Sequence, residues 1–598
     1  MPGIMGLIRK GPVERGDRAD LERMVKSAKR EPFDVSGVYQ DEALGVSVGW
    51  VCHEGSFSAG LPFWNAAKDI GLIYVGEDLS GDGAGPGSGA AGPLVHRYED
   101  RGDGFLTELN GCFSGLLIDR RARRVVLFND RYGLGRIYVH EDEDAFYFAS
   151  EAKALLRLLP GSRAIDPAGF AELFAYGCPL DGRTVFSGIG LLPGGSKWVA
   201  VPGRPLARES YFKFEAWAER PRLDAKDFRG RFLETFPAVL RRYFGGPQTV
   251  GISLTGGLDT RMIMAWAPEL PFKLPCYTFG GILRDCADVR IARKVAEACQ
   301  QRHEVIRINR DFFSEFPALA KRSVLYADGS MDVSGAAELY MNRKAREIAP
   351  VRITGNYGDQ IVRGVVGFKP LGLRPDIFED AFGARVREAQ ETPVLEADNA
   401  LTSFCLKQMP WSHYPRHALE TSQLTVRSPF LDNDLVGLAF QAPDSCRDLG
   451  TSLGYIREGD PALARMPTDR GFSLPSAPVI GTARRAVRAF SKKAEYAYDY
   501  GMPRWLAKLD RGLSALRLER AFLGRHKYYH FRSWYRRELK DYVLATILDL
   551  RTLQRPYFRR RALERMVRDH IDGRDNFTQE IHWVLTSELI QRHLIEKV

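Results

Sequence analysis

The sequence predicts a two-domain chain of mixed α/β and α+β class: a β-rich N-terminal half, then a parallel-sheet half that ends in helices. Three observations predict it. The first 205 residues carry short runs of β-branched and aromatic residues between turn residues. From about residue 226 such runs alternate with segments whose apolar residues recur at helical spacing, the pattern of βαβ units. The length of 598 residues, at roughly 100–200 per domain, implies two or three domains.

In the first half, residues 46–52, 115–118, 125–128 and 146–148 read as strands. Residues 81–93 are rich in Gly, Ala, Pro and Ser and contain a G-x-G-x-x-G match at Gly87, Gly89 and Gly92. No strand pattern leads into it and no helical pattern follows, so it reads as a surface loop. Residues 206–225 are polar and proline-containing and read as a linker. In the second half, 250–254, 276–279, 305–308 and 352–354 read as strands, with helical patterns at 262–266, 289–299 and 338–348. The domains are therefore 1–205 and 226–598, with 476–598 a helical extension rich in Arg, Tyr and Leu.

Composition is that of a globular protein, 44% hydrophobic and 27% charged. The net charge of +10 favours anionic partners, but acidic residues are interspersed and a solvated basic surface explains it as well. The eight cysteines form no Cys-x-x-Cys pair, which points to packing roles in a reducing compartment. Arg9 and Lys10 come too early for a signal peptide, and no stretch approaches the roughly 20 apolar residues of a membrane span. The expectation is a cytoplasmic protein without a membrane span.

The chemistry centres on residues 255–260, Thr-Gly-Gly-Leu-Asp-Thr, between a strand and a helix. Two glycines let backbone N–H groups approach an anion, and a helix N-terminus adds positive partial charge. Thr255 and Thr260 offer hydroxyls, and Asp259 suits Mg²⁺. Taken alone, the same residues also make an ordinary turn. A second segment, Thr-Gly-Asn-Tyr-Gly-Asp at 354–359, likewise follows a strand and opens a helix. In a parallel sheet both turns lie at the carboxyl ends of strands, where ligands bind, so Asp259 and Asp359 become a candidate metal pair on ATP phosphates. A Walker A motif is absent.

These segments, with others in order, resemble the asparagine synthetase family over nearly the whole chain. Residues 255–260 are similar to its S-G-G-x-D-S loop, 354–364 to S-G-E-G-x-D-E-x-x-x-G, and 427–432 to R-x-P-F-L-D. In the N-terminal half, 110–113, 130–138 and 148–155 follow N-G-x-F, R-D-x-x-G-x-x-P-L-Y and F-A-S-E-x-K-A-L. The resemblance implies an Ntn-hydrolase-like N-terminal sandwich and a PP-loop ATP pyrophosphatase domain. It implies carboxylate activation as an acyl-adenylate, with ATP and Mg²⁺ as cofactors. It assigns Thr255, Gly256, Gly257, Thr260 and Gly355 to the pyrophosphate, Asp259 and Asp359 to Mg²⁺, and Leu254 and Phe279 to the adenine pocket.

The departures matter as much. Glutamine-using members carry Cys after the initiator Met, where this chain has Pro2, and Val75-Gly76-Glu77 stands where the family has N-G-E. The N-terminal domain is therefore expected to lack glutaminase activity, with nitrogen from ammonia or a substrate amine. Asn356 replaces a general-base Glu and Gln360 the Glu after the second Asp. Tyr357 becomes a candidate base by analogy with β-lactam synthetases, beside a packing role. Arg470 is the nearest cation to the family's Lys before Gly-Phe. Arg427, Asp432, Asp130, Arg131 and Glu151 read as structural, Asp432 as a helix N-cap.

The expected function is ATP-dependent amide-bond formation on a small-molecule, glycan or peptide carboxylate, outside ordinary glutamine-dependent asparagine synthesis. Lasso-peptide cyclases and polysaccharide-cluster synthetases are relatives of that kind. Two other classes stay open: a pseudoenzyme that binds a partner, and an RNA-modifying PP-loop enzyme whose basic Arg559-Arg560-Arg561 segment grips phosphates. The full-length resemblance disfavours nucleic acid. A homo-oligomer is left open.

Overall fold

The computed structural model describes residues 1–81, 92–392, 399–472, 488–501, 519 and 522–596. The N-terminal strands are β1 (Gly3–Arg9), β2 (Asp34–Asp41), β3 (Val46–His53), β4 (Phe63–Trp64), β5 (Ile70–Gly76), β6 (Phe113–Asp119), β7 (Arg124–Asn129), β8 (Tyr138–Glu141), β9 (Ala145–Ala149), β10 (Gly190–Leu191), β11 (Ser196–Ala200) and β12 (Ala207–Ser210). They form two six-stranded sheets, in the orders β10-β8-β9-β1-β3-β2 and β12-β11-β7-β6-β5-β4, with antiparallel neighbours. Strand periodicity explains the layering. Val46, Val48, Trp50 and Cys52, every second residue of β3, pack in one cluster with Ile73, Leu116 and Leu127 of the other sheet. Met5 and Val51, on the opposite face, pack with Met24, Val25 and Ala28 of the helix Asp17–Ala28. The far side of the second sheet buries Leu72, Tyr74 and Leu117 with Leu94, Val95 and Tyr98 of the helix Gly92–Arg101. The result is a helix–sheet–sheet–helix stack, the Ntn-like layering expected from the resemblance.

The C-terminal half builds a five-stranded parallel sheet from β13 (Val250–Ser253), β14 (Pro275–Gly280), β15 (Arg302–Arg307), β16 (Val351–Ile353) and β17 (Thr425–Arg427). Its order is β15-β14-β13-β16-β17, so the winding direction reverses between the adjacent strands β13 and β16. Described helices of the C-terminal region, among them Phe531–Arg536 and Thr578–Ile590, close over the helix Arg310–Tyr326 through Phe312, Phe316, Phe531 and Trp534. One continuous core joins both domains, with Phe174 of the N-terminal half edge-on to Phe378 and Phe382.

The structure departs from the sequence reading in three places. Residues 207–210 are not linker: they form β12, which pairs with β11. All four residues of β12 are exposed, so an edge strand here has linker-like composition. A helix, Gly92–Arg101, does follow the Gly-rich tract, because its apolar residues Leu94, Val95 and Tyr98 pack on the sheet; Gly87 and Gly89 lie outside the described residues. In the basic C-terminal segment, Arg559 pairs with Asp380 and Arg560 with Glu564 at 3.0 Å, so two of its three arginines already face carboxylates. Among the described residues no helix is long and apolar enough to cross a membrane.

Candidate active site

The reversal between β13 and β16 places their two following turns side by side, the geometry that makes a ligand crevice at the carboxyl ends of parallel strands. Both turns open on one cleft of about 360 Å³, which takes in Leu254, Thr255, Asp259, Thr260, Phe279, Gly355 and Asp359. Gly256 and Gly257, between Thr255 and Asp259 in the chain, do not line this cleft. Leu254 and Phe279 stand at the ends of neighbouring strands, where an adenine ring can be flanked.

The loop is tied internally. The Thr255 and Thr260 hydroxyls are 3.2 Å apart, and the Gly257 N–H donates to Thr255 Oγ1 at 3.2 Å. The Gly256 N–H donates to Asp288 Oδ1 at 2.8 Å. Burial, with the nearby Asp469 charge, pushes the Asp288 carboxyl up to about 6. Two glycines are required by close approach rather than by turn shape: a Cβ on Gly355 would lie 2.8 Å from Thr260 N, and one on Gly358 2.5 Å from Asp259 Cγ. The loops are thus packed against each other with no room for side chains between them.

Arg261 is fully buried and binds the loop to the segment that follows the helix Pro461–Arg465. It donates to the carbonyl oxygens of Met466 at 2.5 Å and Pro467 at 3.2 Å. Burial lowers its pKa to about 10. The Asp469 N–H donates to Gly256 O at 3.0 Å, which brings exposed Arg470 near enough for its charge to stabilise the Asp259 carboxylate.

Asp259 and Asp359 do come together, but around a side chain. Arg363 Nη2 donates to Asp259 Oδ1 at 2.7 Å and also pairs with Asp359. Burial raises the Asp259 carboxyl and Arg363 pulls it back down. The place between the carboxylates is filled by this guanidinium, so the pair does not fit a metal ion held by both, as the resemblance implied.

Tyr357 adopts φ +72° ahead of the helix Gly358–Arg363, and its ring packs edge-on to His413 with centroids 5.6 Å apart. Burial drives its phenol well above the usual value of 10, which keeps it protonated at neutral pH. Asn356 donates from Nδ2 toward Glu420 Oε2 at 3.3 Å. Glu420 is 2% exposed and lies 3.5 Å from Arg352. Arg352 and Arg416 bring positive charge to the cleft wall. His413, lowered to about 4 by burial and Arg416, is neutral there.

Sequence reasoning missed Arg261, Asp288, Arg363 and Glu420. Arg363 had a signal, since it stands four residues after Asp359 on one helix. The contacts of the other three cross long stretches of chain, from 32 residues for Asp288 to 206 for Arg261, and carry none.

The remaining motifs hold either the domain boundary or the N-terminal domain itself. Arg427 Nε and Nη2 donate to both Glu77 oxygens at 2.8 Å. Asn110 Nδ2 donates to Asp432 Oδ2 at 2.7 Å, and Asp432 caps the helix Asn433–Phe440 through the Asp434 N–H. Asp130 accepts backbone N–H donors from Phe113, Tyr132, Leu134 and Gly135, and Arg131 reaches the Thr107 and Leu109 carbonyls. Glu151 receives the Met1 ammonium at 2.7 Å. A second cavity, about 130 Å³, lies at this boundary beside Pro2, Glu77 and Arg427.

Comparison with known proteins finds two matching family models. A family model described as a glutamine amidotransferase domain matches residues 87–212, and one described as asparagine synthase matches 237–457. The chain is 22% identical to "Asparagine synthetase [glutamine-hydrolyzing] 1" of Bacillus subtilis (strain 168) over 63% of this chain and 61% of that protein. It is 22% identical to the Cricetulus griseus asparagine synthetase (70% of this chain, 80% of that protein) and 25% identical to that of Gallus gallus (59% and 60%). The matches to the Bacillus and Gallus proteins thus span about three fifths of their length. By its two matched domains and these relatives, the chain belongs to the asparagine synthetase family.

Proposed function

We propose that the protein is an ATP-dependent carbon–nitrogen ligase that activates a carboxylate as an acyl-adenylate and completes an amide with ammonia or an amine. The observation that carries this reading is the convergence of the two turns, after β13 and after β16, on one cleft with cationic walls. Leu254 and Phe279 flank the base. The hydroxyls of Thr255 and Thr260, both on the cleft, meet the β- and γ-phosphates. A carboxylate oxygen attacks the α-phosphorus, the α–β P–O bond breaks, and pyrophosphate leaves with its charge met by the loop and Arg470. The amine nitrogen then attacks the acyl carbon, AMP leaves, and the amine gives up a proton. Glu420, beside Asn356, returns a carboxylate to the neighbourhood where the family's Glu stands and is the candidate acceptor for it.

Three features support a nitrogen source other than glutamine. Pro2 brings no thiol. The Met1 ammonium is held by Glu151 and Ala28 O. Glu77, in the frame of the family's N-G-E, has both carboxylate oxygens bound by Arg427.

ATP binding tests the site directly. Asp259→Asn and Thr255→Val are expected to weaken it about tenfold or more, as losing a charge-assisted bond does; unchanged affinity in both overturns the assignment. A panel of sugar uronic acids, peptide carboxylates and small amino acids then separates the substrate classes by which one releases pyrophosphate.

A further inference from the structure

The cation between the two loops belongs to the chain itself. Arg363 Nη2 bonds Asp259 Oδ1 at 2.7 Å and pairs with Asp359 Oδ1 as well. Its other terminal nitrogen, Nη1, donates to the Ser452 hydroxyl at 3.3 Å, which anchors the guanidinium from behind. The Arg363 side chain is only 5% exposed, whereas the Asp359 side chain is 39% exposed and opens to the cleft. The Asp259 carboxylate packs directly over Gly358, in the space a side chain there would take. Two carboxylates that share one nitrogen repel each other unless a cation remains between them. A magnesium ion held by both would need that same place, with oxygens at about 2.0–2.1 Å. Guanidinium and metal exclude each other there.

We propose that Arg363 is the resident cation of this site, standing between Asp259 and Asp359 in place of a divalent ion and facing the pyrophosphate side of the nucleotide. One guanidinium carries half the charge of a magnesium ion. Arg470, whose charge reaches Asp259 from the loop docked on Gly256, supplies the other half. The planar fork of Arg363 is suited to the task, since it can bond carboxylate and phosphate oxygens at once while Ser452 holds its orientation. The carboxylates then serve to position a cation rather than to recruit one. The second consequence, nucleotide binding with little dependence on added metal, rests on the ATP reading of the cleft; the first does not.

The test uses the full-length chain with Mn²⁺ as probe, its free fraction read by electron paramagnetic resonance. Wild type and Arg363→Lys are expected to leave Mn²⁺ free. Arg363→Gln, which unmasks the carboxylates, is expected to bind one equivalent at least tenfold tighter, and Arg363→Gln with Asp359→Asn to lose it again. Circular dichroism of each variant checks that it is folded; if Arg363→Gln is not, Arg363→Met takes its place as the unmasking variant. Wild type or Arg363→Lys binding Mn²⁺ as tightly as Arg363→Gln overturns the proposal. In parallel, ATP affinity is measured by calorimetry with Mg²⁺ and with EDTA. Wild type should change less than about threefold, and Arg363→Gln more than thirtyfold. A thirtyfold loss in wild type on removing Mg²⁺ overturns the role of Arg363 toward ATP. Absence of ATP binding in both buffers overturns the nucleotide reading itself, while the manganese result still decides what lies between the aspartates.

Discussion

The Arg427 guanidinium holds both carboxylate oxygens of Glu77 at 2.8 Å, across the boundary between the N-terminal sandwich and the parallel sheet. Its remaining nitrogen reaches the carbonyl oxygens of Tyr243 and Gly245, each at 2.7 Å. Arg427 is 3% exposed, so removing it leaves an inward carboxylate without a partner. Arg427→Ala is expected to destabilise the protein by about 3 kcal/mol or more, as breaking one side of a buried pair does. Melting should show the two domains unfolding in separate steps. The double replacement Glu77→Gln with Arg427→Met should melt closer to wild type than Arg427→Ala does. Equal melting of all three proteins would remove the boundary role.

The same pair bears on nitrogen supply. Glu77 cannot both hold Arg427 and receive the charged end of glutamine. Purified protein is expected to release no glutamate from glutamine, and Pro2→Cys to stay below about a hundredth of the ammonia-dependent rate, because a thiol alone does not make a site. Glutamate release by wild type would contradict this.

Asp288 links pH to stability. Its carboxyl is raised to about 6 in the folded chain, so the fold holds that proton more tightly than the unfolded chain does. The stability this contributes is full below about pH 4 and is lost as pH rises through about 6. Asp288→Asn keeps an oxygen for the Gly256 N–H and has nothing to ionise. Its melting temperature relative to wild type should therefore rise between pH 4.5 and 6.5 and level off above. A constant difference across that range would place the Asp288 carboxyl at its ordinary value.

Proton acceptance separates two residues beside Asn356. Tyr357→Phe removes a buried hydroxyl and is expected to cost less than tenfold in amide formation, with the pH profile unchanged. Glu420→Gln keeps the shape, and is expected to slow amide formation by roughly 10²-fold or more while pyrophosphate release persists, a general-base magnitude. The reverse ranking would return the base to Tyr357.

Much of this was legible in local pattern. The strand–turn–helix around residues 255–260 shows in its own Gly, Thr and Asp residues, and Asp432 as an N-cap is a local rule that the structure repeats. β17 was not legible, because three residues, Thr425–Arg427, carry no period and become a strand only by pairing with β16. β12 hid behind the composition of an exposed edge. The site's decisive contacts were the least legible, since Gly256–Asp288, Asn356–Glu420 and Glu77–Arg427 join residues 32, 64 and 350 apart in the chain. Motifs singled out the loop at residues 255–260; they could not show that Arg363 would turn into the space between two aspartates.

The most direct measurement is the nucleotide product formed from α-labelled ATP when the purified chain meets a carboxylate substrate and an amine. The account requires AMP and pyrophosphate in equal amounts to amide, with pyrophosphate appearing before amine is added. ADP and inorganic phosphate as the products would contradict it, because the cleft after β13 and β16 would then not be activating a carboxylate at the α-phosphorus.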